Sequence, residues 1–159
     1  WLKRKTWMNI VIGGLAGTFA VLVGSAATGN TFSTAPLILS IILFLWTPPH
    51  FWALAICYKD EYEKASVPML PVVKSISITS HAIFWHTLLL VLLSFTLIFY
   101  GMHWVYLIFA STGGLYFLYC SAQLLRKQNN GWAKKTFFAS IIHLGLLLLG
   151  TMFDAMIFA

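Results

Sequence analysis

A bundle of five membrane-spanning α-helices is the fold this sequence predicts. Three observations carry the prediction: a composition too apolar for water, five apolar runs of spanning length, and basic residues confined to alternate breaks. Of 159 residues, 60% are hydrophobic and 9% charged. The mean hydropathy is +0.85. A water-soluble domain is about half apolar and a quarter charged, so an ordinary soluble globule is excluded. A disordered chain needs low hydrophobicity and high net charge, and is excluded too. The 13 Phe, 7 Trp and 6 Tyr suit side chains that face lipid and its interfaces.

Crossing ~30 Å of hydrocarbon takes about 20 helical residues. The runs that qualify are about 9–27, 36–57, 82–100, 104–124 and 136–158, a single transmembrane helical domain over 1–159. In the first, Gly13, Gly14, Gly17, Ala20 and Gly24 form a small-residue stripe. Gly13 and Gly17 have the GxxxG spacing that permits close helix packing. The second run has Pro48-Pro49 at its middle. Proline removes a backbone donor and crowds the preceding turn, so a kink is expected, with carbonyls near Phe44 and Leu45 seeking other partners. The third opens with His81 and His86, His103 precedes the fourth, and the fifth contains His143. These four read as structural histidines. Cys57 and Cys120 have no CxxC or metal spacing and read as buried thiols. Asn129-Asn130-Gly131 reads as a turn before the last helix.

Five crossings place the N-terminus, the 58–81 break and the 125–135 break on one side. All ten Lys and Arg fall there, and the 28–35 and 101–103 breaks hold no charge. By the positive-inside rule this side is cytoplasmic, or matrix in a mitochondrion, and Asp154 lies near the other face. The net charge of +6 is therefore a topology signal, and no nucleic-acid partner is expected. The first residues carry no signal-peptide pattern. The chain starts at Trp1 and reads as a piece of a longer protein that begins inside a loop.

Two stretches carry chemistry. Asp60, Glu61 and Glu63 are three of the four acids in the chain, set between Lys59 and Lys64. One reading is a solvated mixed-charge loop. The other is a hard-cation site: Mg²⁺ takes carboxylate oxygens, keeps several waters and shares substrate phosphates. Lys3, Arg4 and Lys5 lie on the same membrane face and add cations. His50 follows the proline pair. It is either bonded to a neighbouring helix or, as an ionisable group at membrane depth, functional. Tyr58 lies about 12 Å further along the helix, and Leu54, Cys57 and Tyr58 share the His50 face. A polar, metal-competent mouth above an aromatic helix suits an amphiphile with a diphosphate head and a long apolar tail.

Four motifs recur together. They are Trp1-Leu2-Lys3-Arg4-Lys5-Thr6 with Asn9-Ile10-Val11-Ile12-Gly13-Gly14; Leu45-Trp46-Thr47-Pro48-Pro49-His50-Phe51-Trp52-Ala53-Leu54-Ala55; Lys59-Asp60-Glu61-Tyr62; and Val67-Pro68-Met69-Leu70-Pro71-Val72-Val73. In that order, over residues 1 to about 74, the chain resembles the protoheme IX farnesyltransferases, the haem O synthases of the UbiA superfamily of intramembrane prenyltransferases. The resemblance implies a nine-helix bundle with two acid-rich loops on one membrane side. This chain would be the C-terminal five helices, with the second loop, and the first would belong to the missing N-terminal helices of the same protein. The resemblance also implies farnesyl transfer from farnesyl diphosphate to haem b in a lipid bilayer, the bacterial cytoplasmic membrane or mitochondrial inner membrane, with Mg²⁺ as cofactor. Asp60 and Glu61 would hold the metal and, with His50 and Tyr62, form the catalytic set. Lys3, Arg4, Asn9, Trp46, Tyr58, Lys59 and Lys64 would bind substrate. His50 is left three roles: ligating the haem, orienting it, or assisting proton transfer.

The chain departs from the family pattern at Ala20-Val21, where two prolines are usual, at Ser66, where glycine is usual, and at Asp60-Glu61, often Asp-Asp. The alternatives are a UbiA-type enzyme with another acceptor, such as a quinone ring or chlorophyllide, and a non-enzymatic transporter or assembly subunit. A transporter should carry polar residues deep in several helices, and the last three runs show almost none apart from His86 and His143. The topology generates a first prediction. A Ser77→Cys variant should react with an impermeant thiol reagent only from the cytoplasmic or matrix side. Labelling only from the opposite side would overturn the charge-based orientation.

Overall fold

A computed structural model describes residues 2–29 and 33–158. Trp1, which opens the first motif, and residues 30–32 of the first break lie outside the described residues. A 3-10 turn, Leu2–Arg4, leads into α1 (Asn9–Ala27) and α2 (Thr34–Cys57). Two short helices follow, α3 (Lys59–Lys64) and α4 (Leu70–Val73). Then come α5 (Ile76–Thr96), extended by a 3-10 turn over Leu97–Tyr100, α6 (Trp104–Lys127) and α7 (Asn130–Phe158). Among the described residues, α1, α2, α5 with its extension, α6 and α7 are long and apolar enough to cross a membrane.

The helix ends differ from the apolar runs for local reasons. α5 begins at Ile76 rather than Ala82, because the Ser75 hydroxyl accepts from the Ile78 N–H at 3.2 Å and caps the helix. The turns that precede the apolar run are therefore polar but helical. α7 begins at Asn130 rather than Thr136, since the Asn129 side chain accepts from the Trp132 N–H at 2.9 Å. α6 runs on to Lys127 rather than Leu124 and stops at Gln128, whose φ of 48° is left-handed. α2 starts at Thr34 rather than Pro36 and runs unbroken through Pro48-Pro49. Thr47 Oγ1 donates to the Leu43 carbonyl at 3.0 Å, just before the carbonyls that the prolines free. The acidic segment is not a loop: Lys59–Lys64 is the helix α3.

α2 is the hub. It packs against α1, α5 and α7, while α5, α6 and α7 pack in sequence. One core cluster joins Ile42, Leu90, Leu97, Tyr106, Phe117 and Leu147. A second, toward the basic end, joins Trp52, Ile56, Leu70, Ile83, Leu124 and Ala133. α1 leans on α2 through Gly14, where a Cβ would sit 3.3 Å from Thr47 Cβ, and Gly17, where it would sit 3.5 Å from Leu43 Cδ2. Nothing lies within 4 Å of such an atom at Gly13. The close seam therefore uses Gly14 and Gly17 rather than Gly13 and Gly17. At Gly150 a Cβ would approach Phe109 Cβ to 2.7 Å, so α6 and α7 meet there only through glycine.

Asp154, expected near the outer face, is 1% exposed. Its carboxylate accepts the N–H groups of His103 at 2.9 Å and Tyr106 at 3.0 Å, and lies 3.1 Å from His103 Nδ1. It thereby covers backbone donors left open at the start of α6. The interiors of α5 to α7 are also more polar than the sequence suggests: Thr79, Ser94, Ser121, Thr136 and Ser140 are buried. Each of these hydroxyls donates to a carbonyl three or four residues earlier in its own chain. These five are satisfied locally, whereas the hydroxyls of Ser80 and Thr87 and both ring nitrogens of His143 are buried without a hydrogen-bond partner among the described residues.

Ser66 lies in the turn after α3 at φ 53°. The left-handed region costs an L-residue about 1–2 kcal/mol, and glycine nothing comparable. This accounts for the glycine the resemblance expects there. Set against glycine's greater unfolded-state freedom, Ser66→Gly should raise stability to denaturant in detergent micelles by about 0.5 kcal/mol. A loss of stability would contradict the left-handed assignment.

Candidate functional site

The tip of α2 organises the candidate site. Tyr58 ends the helix with its side chain exposed, and clefts open on both sides of it. On the α1 side, Lys3, Tyr58, Glu61 and Tyr62 line one groove with Ala65 and Val67. A neighbouring groove continues past Lys3, Asn9, Phe51, Tyr62 and Met69. Asn9 is positioned by its own Nδ2, which donates to the Thr6 carbonyl at 2.6 Å. On the α7 side, Lys59 and Asp60 line a cleft with Ile56, Cys57, Ile76 and Asn130. Arg4 and Lys64 are exposed and line none of these clefts.

Asp60 and Glu61 therefore point into different clefts. The cause is α3 itself: consecutive residues on a helix do not face one another, whereas Glu61 falls on the side of Tyr58 and Ala65. None of Asp60, Glu61 or Glu63 makes an ion pair among the described residues, although Lys3, Lys59 and Lys64 are close in the chain or share a cleft. Nor do three or more His, Cys, Asp or Glu gather anywhere among the described residues. The described residues thus form no closed metal cage. The donor chemistry still fits Mg²⁺, which binds through one or two carboxylates and takes its other oxygens from water and phosphate. Each acid offers one such ligand to its own cleft.

Deeper on α2, the proline turn presents Trp46 and His50 to α7. Trp46 Nε1 donates to the Ser140 carbonyl at 2.8 Å. His50 Nδ1 lies 2.7 Å from Ser140 Oγ. The two rings stack at 4.2 Å, and His50 stacks on Phe137 at 4.6 Å. His50 is 9% exposed, so the bond to a neighbouring helix is present. Leu54, Cys57 and Tyr58, expected on the His50 face, line one pocket together with Asn130, Lys134, Phe137 and Phe138. Cys57 is half-buried and Cys120 buried, and both thiols are free. The thiol of Cys57 donates to the Asn130 carbonyl at 3.8 Å.

The contribution of α7 escaped sequence reasoning. Asn130 and Lys134 sit in a segment that reads as a turn with topology-setting charges, and Ser140 and Phe137 sit in an apolar run. The only signal is helical spacing: Asn130, Lys134, Phe137 and Phe138 share one face once the helix is extended back to Asn130.

Comparison with known proteins places this architecture. The UbiA prenyltransferase family matches residues 1–142. The protein named protoheme IX farnesyltransferase 2 from Paramagnetospirillum magneticum is 49% identical over 157 residues, 99% of this chain and 54% of the relative. The protoheme IX farnesyltransferase of Rickettsia akari is 44% identical over 151 residues, 94% of this chain and 50% of the relative. That of Shewanella oneidensis is 42% identical over 160 residues, all of this chain and 53% of the relative. The chain spans about half the length of the curated relatives it matches. No solved structure matches it. The family match extends through α5, α6 and the first part of α7, beyond the motifs that end near residue 74. Five apolar spanning helices make this a multi-pass membrane protein, and the chain belongs to the UbiA prenyltransferase family.

Proposed function

We propose that the chain forms one half of an intramembrane prenyltransferase that joins the farnesyl group of farnesyl diphosphate to haem b, giving haem O. The basic end of the bundle is its active face, on the cytoplasmic or matrix side. The names of the relatives support the reaction. The observation that carries the reading is the tip of α2: unpaired Asp60 and Glu61, with Lys3 and Lys59, flank Tyr58 in clefts beside an aromatic groove. The other half of a nine-helix bundle, with its own acid-rich loop, comes from further helices of the same protein.

In this reading Lys3 and Lys59 attract the anionic head of the substrate, and Tyr58 and Tyr62 offer hydroxyl donors to its oxygens. Asp60 and Glu61 would each give one carboxylate to Mg²⁺. Bound there, Mg²⁺ supplies positive charge that stabilises the diphosphate as it leaves. The apolar walls keep bulk water from the allylic cation while its bond to diphosphate breaks and it bonds to the terminal carbon of a haem vinyl group. The cation left on the inner vinyl carbon then takes up one water and loses a proton, which gives the hydroxyl of haem O. The Ser140 contact fixes one nitrogen of His50 and leaves Nε2 as the edge free to face haem or carry a proton. Ring orientation by Trp46, Phe137 and Ser140 supports a positioned role for His50.

Asp60→Ala in the complete protein should lower prenyl transfer at least about a hundredfold, as loss of a charge-stabilising group does, with membrane insertion unchanged. Glu63→Ala should cost little, because Glu63 lines none of the clefts beside Tyr58. Wild-type turnover by Asp60→Ala at limiting Mg²⁺ would remove the metal assignment.

A further inference from the structure

The two sides of the α2 tip are not equivalent. On the α7 side, the pocket between α2 and α7 has a volume of about 260 Å³ and is lined by Leu54, Cys57, Tyr58, Asn130, Lys134, Phe137 and Phe138. Cys57 and Asn130 also line the cleft that holds Asp60 and Lys59, so the two spaces adjoin. Phe137 is shared between this pocket and the ring stack of His50 and Trp46. The polar mouth and the deep histidine are therefore joined along one face of α7, and the grooves on the α1 side do not include that face.

The lining is amphipathic along its length. Asn130 and Lys134 are one turn apart, and Phe137 and Phe138 follow one turn deeper. The lysines near Lys134 are otherwise engaged: the ammonium groups of Lys135 and Lys127 lie 4.3 Å and 5.0 Å from the Trp132 ring centroid. Lys134 is the α7 lysine that faces the pocket. A site with one cation at its mouth and aromatic walls within recognises an anionic head on an apolar tail. Small-molecule pockets usually run to ~300–1,000 Å³. A volume at or below the lower end suits a linear chain and not a tetrapyrrole.

We propose that Lys134 is a further binding residue for the prenyl diphosphate: its ammonium meets the diphosphate at the pocket mouth, and the first part of the isoprenoid chain enters between Leu54, Phe137 and Phe138. The inference rests on the prenyltransferase reading above. It adds the Asp60 side of Tyr58 to the contacts of a diphosphate that Lys3, Glu61 and Tyr62 reach from the other side, and it directs the chain toward His50.

The test is equilibrium binding of an unreactive analogue, farnesyl thiodiphosphate, and of inorganic diphosphate, to the complete protein in nanodiscs of zwitterionic lipid. Lys134→Gln should weaken both about tenfold, the size of one charge-assisted hydrogen bond. Lys134→Arg should restore binding, and Lys135→Gln should stay within about twofold of the unaltered protein. Leu54→Trp, which fills the pocket, should weaken the farnesyl analogue but leave inorganic diphosphate unaffected. Unchanged affinities in Lys134→Gln would overturn the assignment. Unchanged analogue affinity in Leu54→Trp would do the same. Should the unaltered protein bind no analogue at all, the prenyltransferase reading itself falls, along with this inference.

Discussion

Ser140 fixes where α2 stands. Its carbonyl accepts from Trp46 and its hydroxyl meets His50, at 2.8 and 2.7 Å, so two rings one turn apart are tied to one residue of α7. In hydrocarbon such bonds have no water to compete with, and the groups that make them have few other partners. α2 in turn touches α1, α5 and α7. Its rotation decides which side of its tip each of Tyr58, Asp60 and Glu61 faces. A small turn of α2 about its axis would redistribute the charged residues between the clefts, so the geometry of the surface site depends on a hydrogen-bonded pair of rings deep in the bundle.

The fold was readable because the bilayer imposes a length and a charge rule on any chain that crosses it. Five apolar runs and one-sided lysines and arginines identify the crossings without any tertiary information. The ends were less readable, because capping is local and polar. Ser75 and Asn129 start helices whose opening turns look like loop to a hydropathy measure. Asp154 lies near the outer face as expected, against His103 of the outer break, but its burial was hidden for a related reason. Sequence places this acid at a membrane face, and only the approach of α6 shows it to be a buried cap.

The site divides in the same way. Lys3, Asn9, Tyr58, Asp60, Glu61 and Tyr62 lie in or beside short motifs, and the structure brings most of them to the clefts around the α2 tip. Their distribution between clefts was hidden, because it follows from the angular offset of neighbours on α3. Ser140, Phe137 and Lys134 carry no motif and are far from α2 in sequence, so only packing reveals them. Ser66 is the converse case, since its departure from the family pattern gains physical meaning only from its left-handed φ.

In the proposed reaction this end of the bundle is half of a site that prenylates haem. The most direct measurement incubates the complete protein with haem b, farnesyl diphosphate and Mg²⁺ and reads the haem by mass spectrometry, with residues 1–159 alone run in parallel. Haem O is expected from the complete protein and none from residues 1–159, because one acid-rich segment offers only part of the metal's ligands. Unmodified haem from the complete protein, or haem O formed by residues 1–159 at a comparable rate, would contradict it.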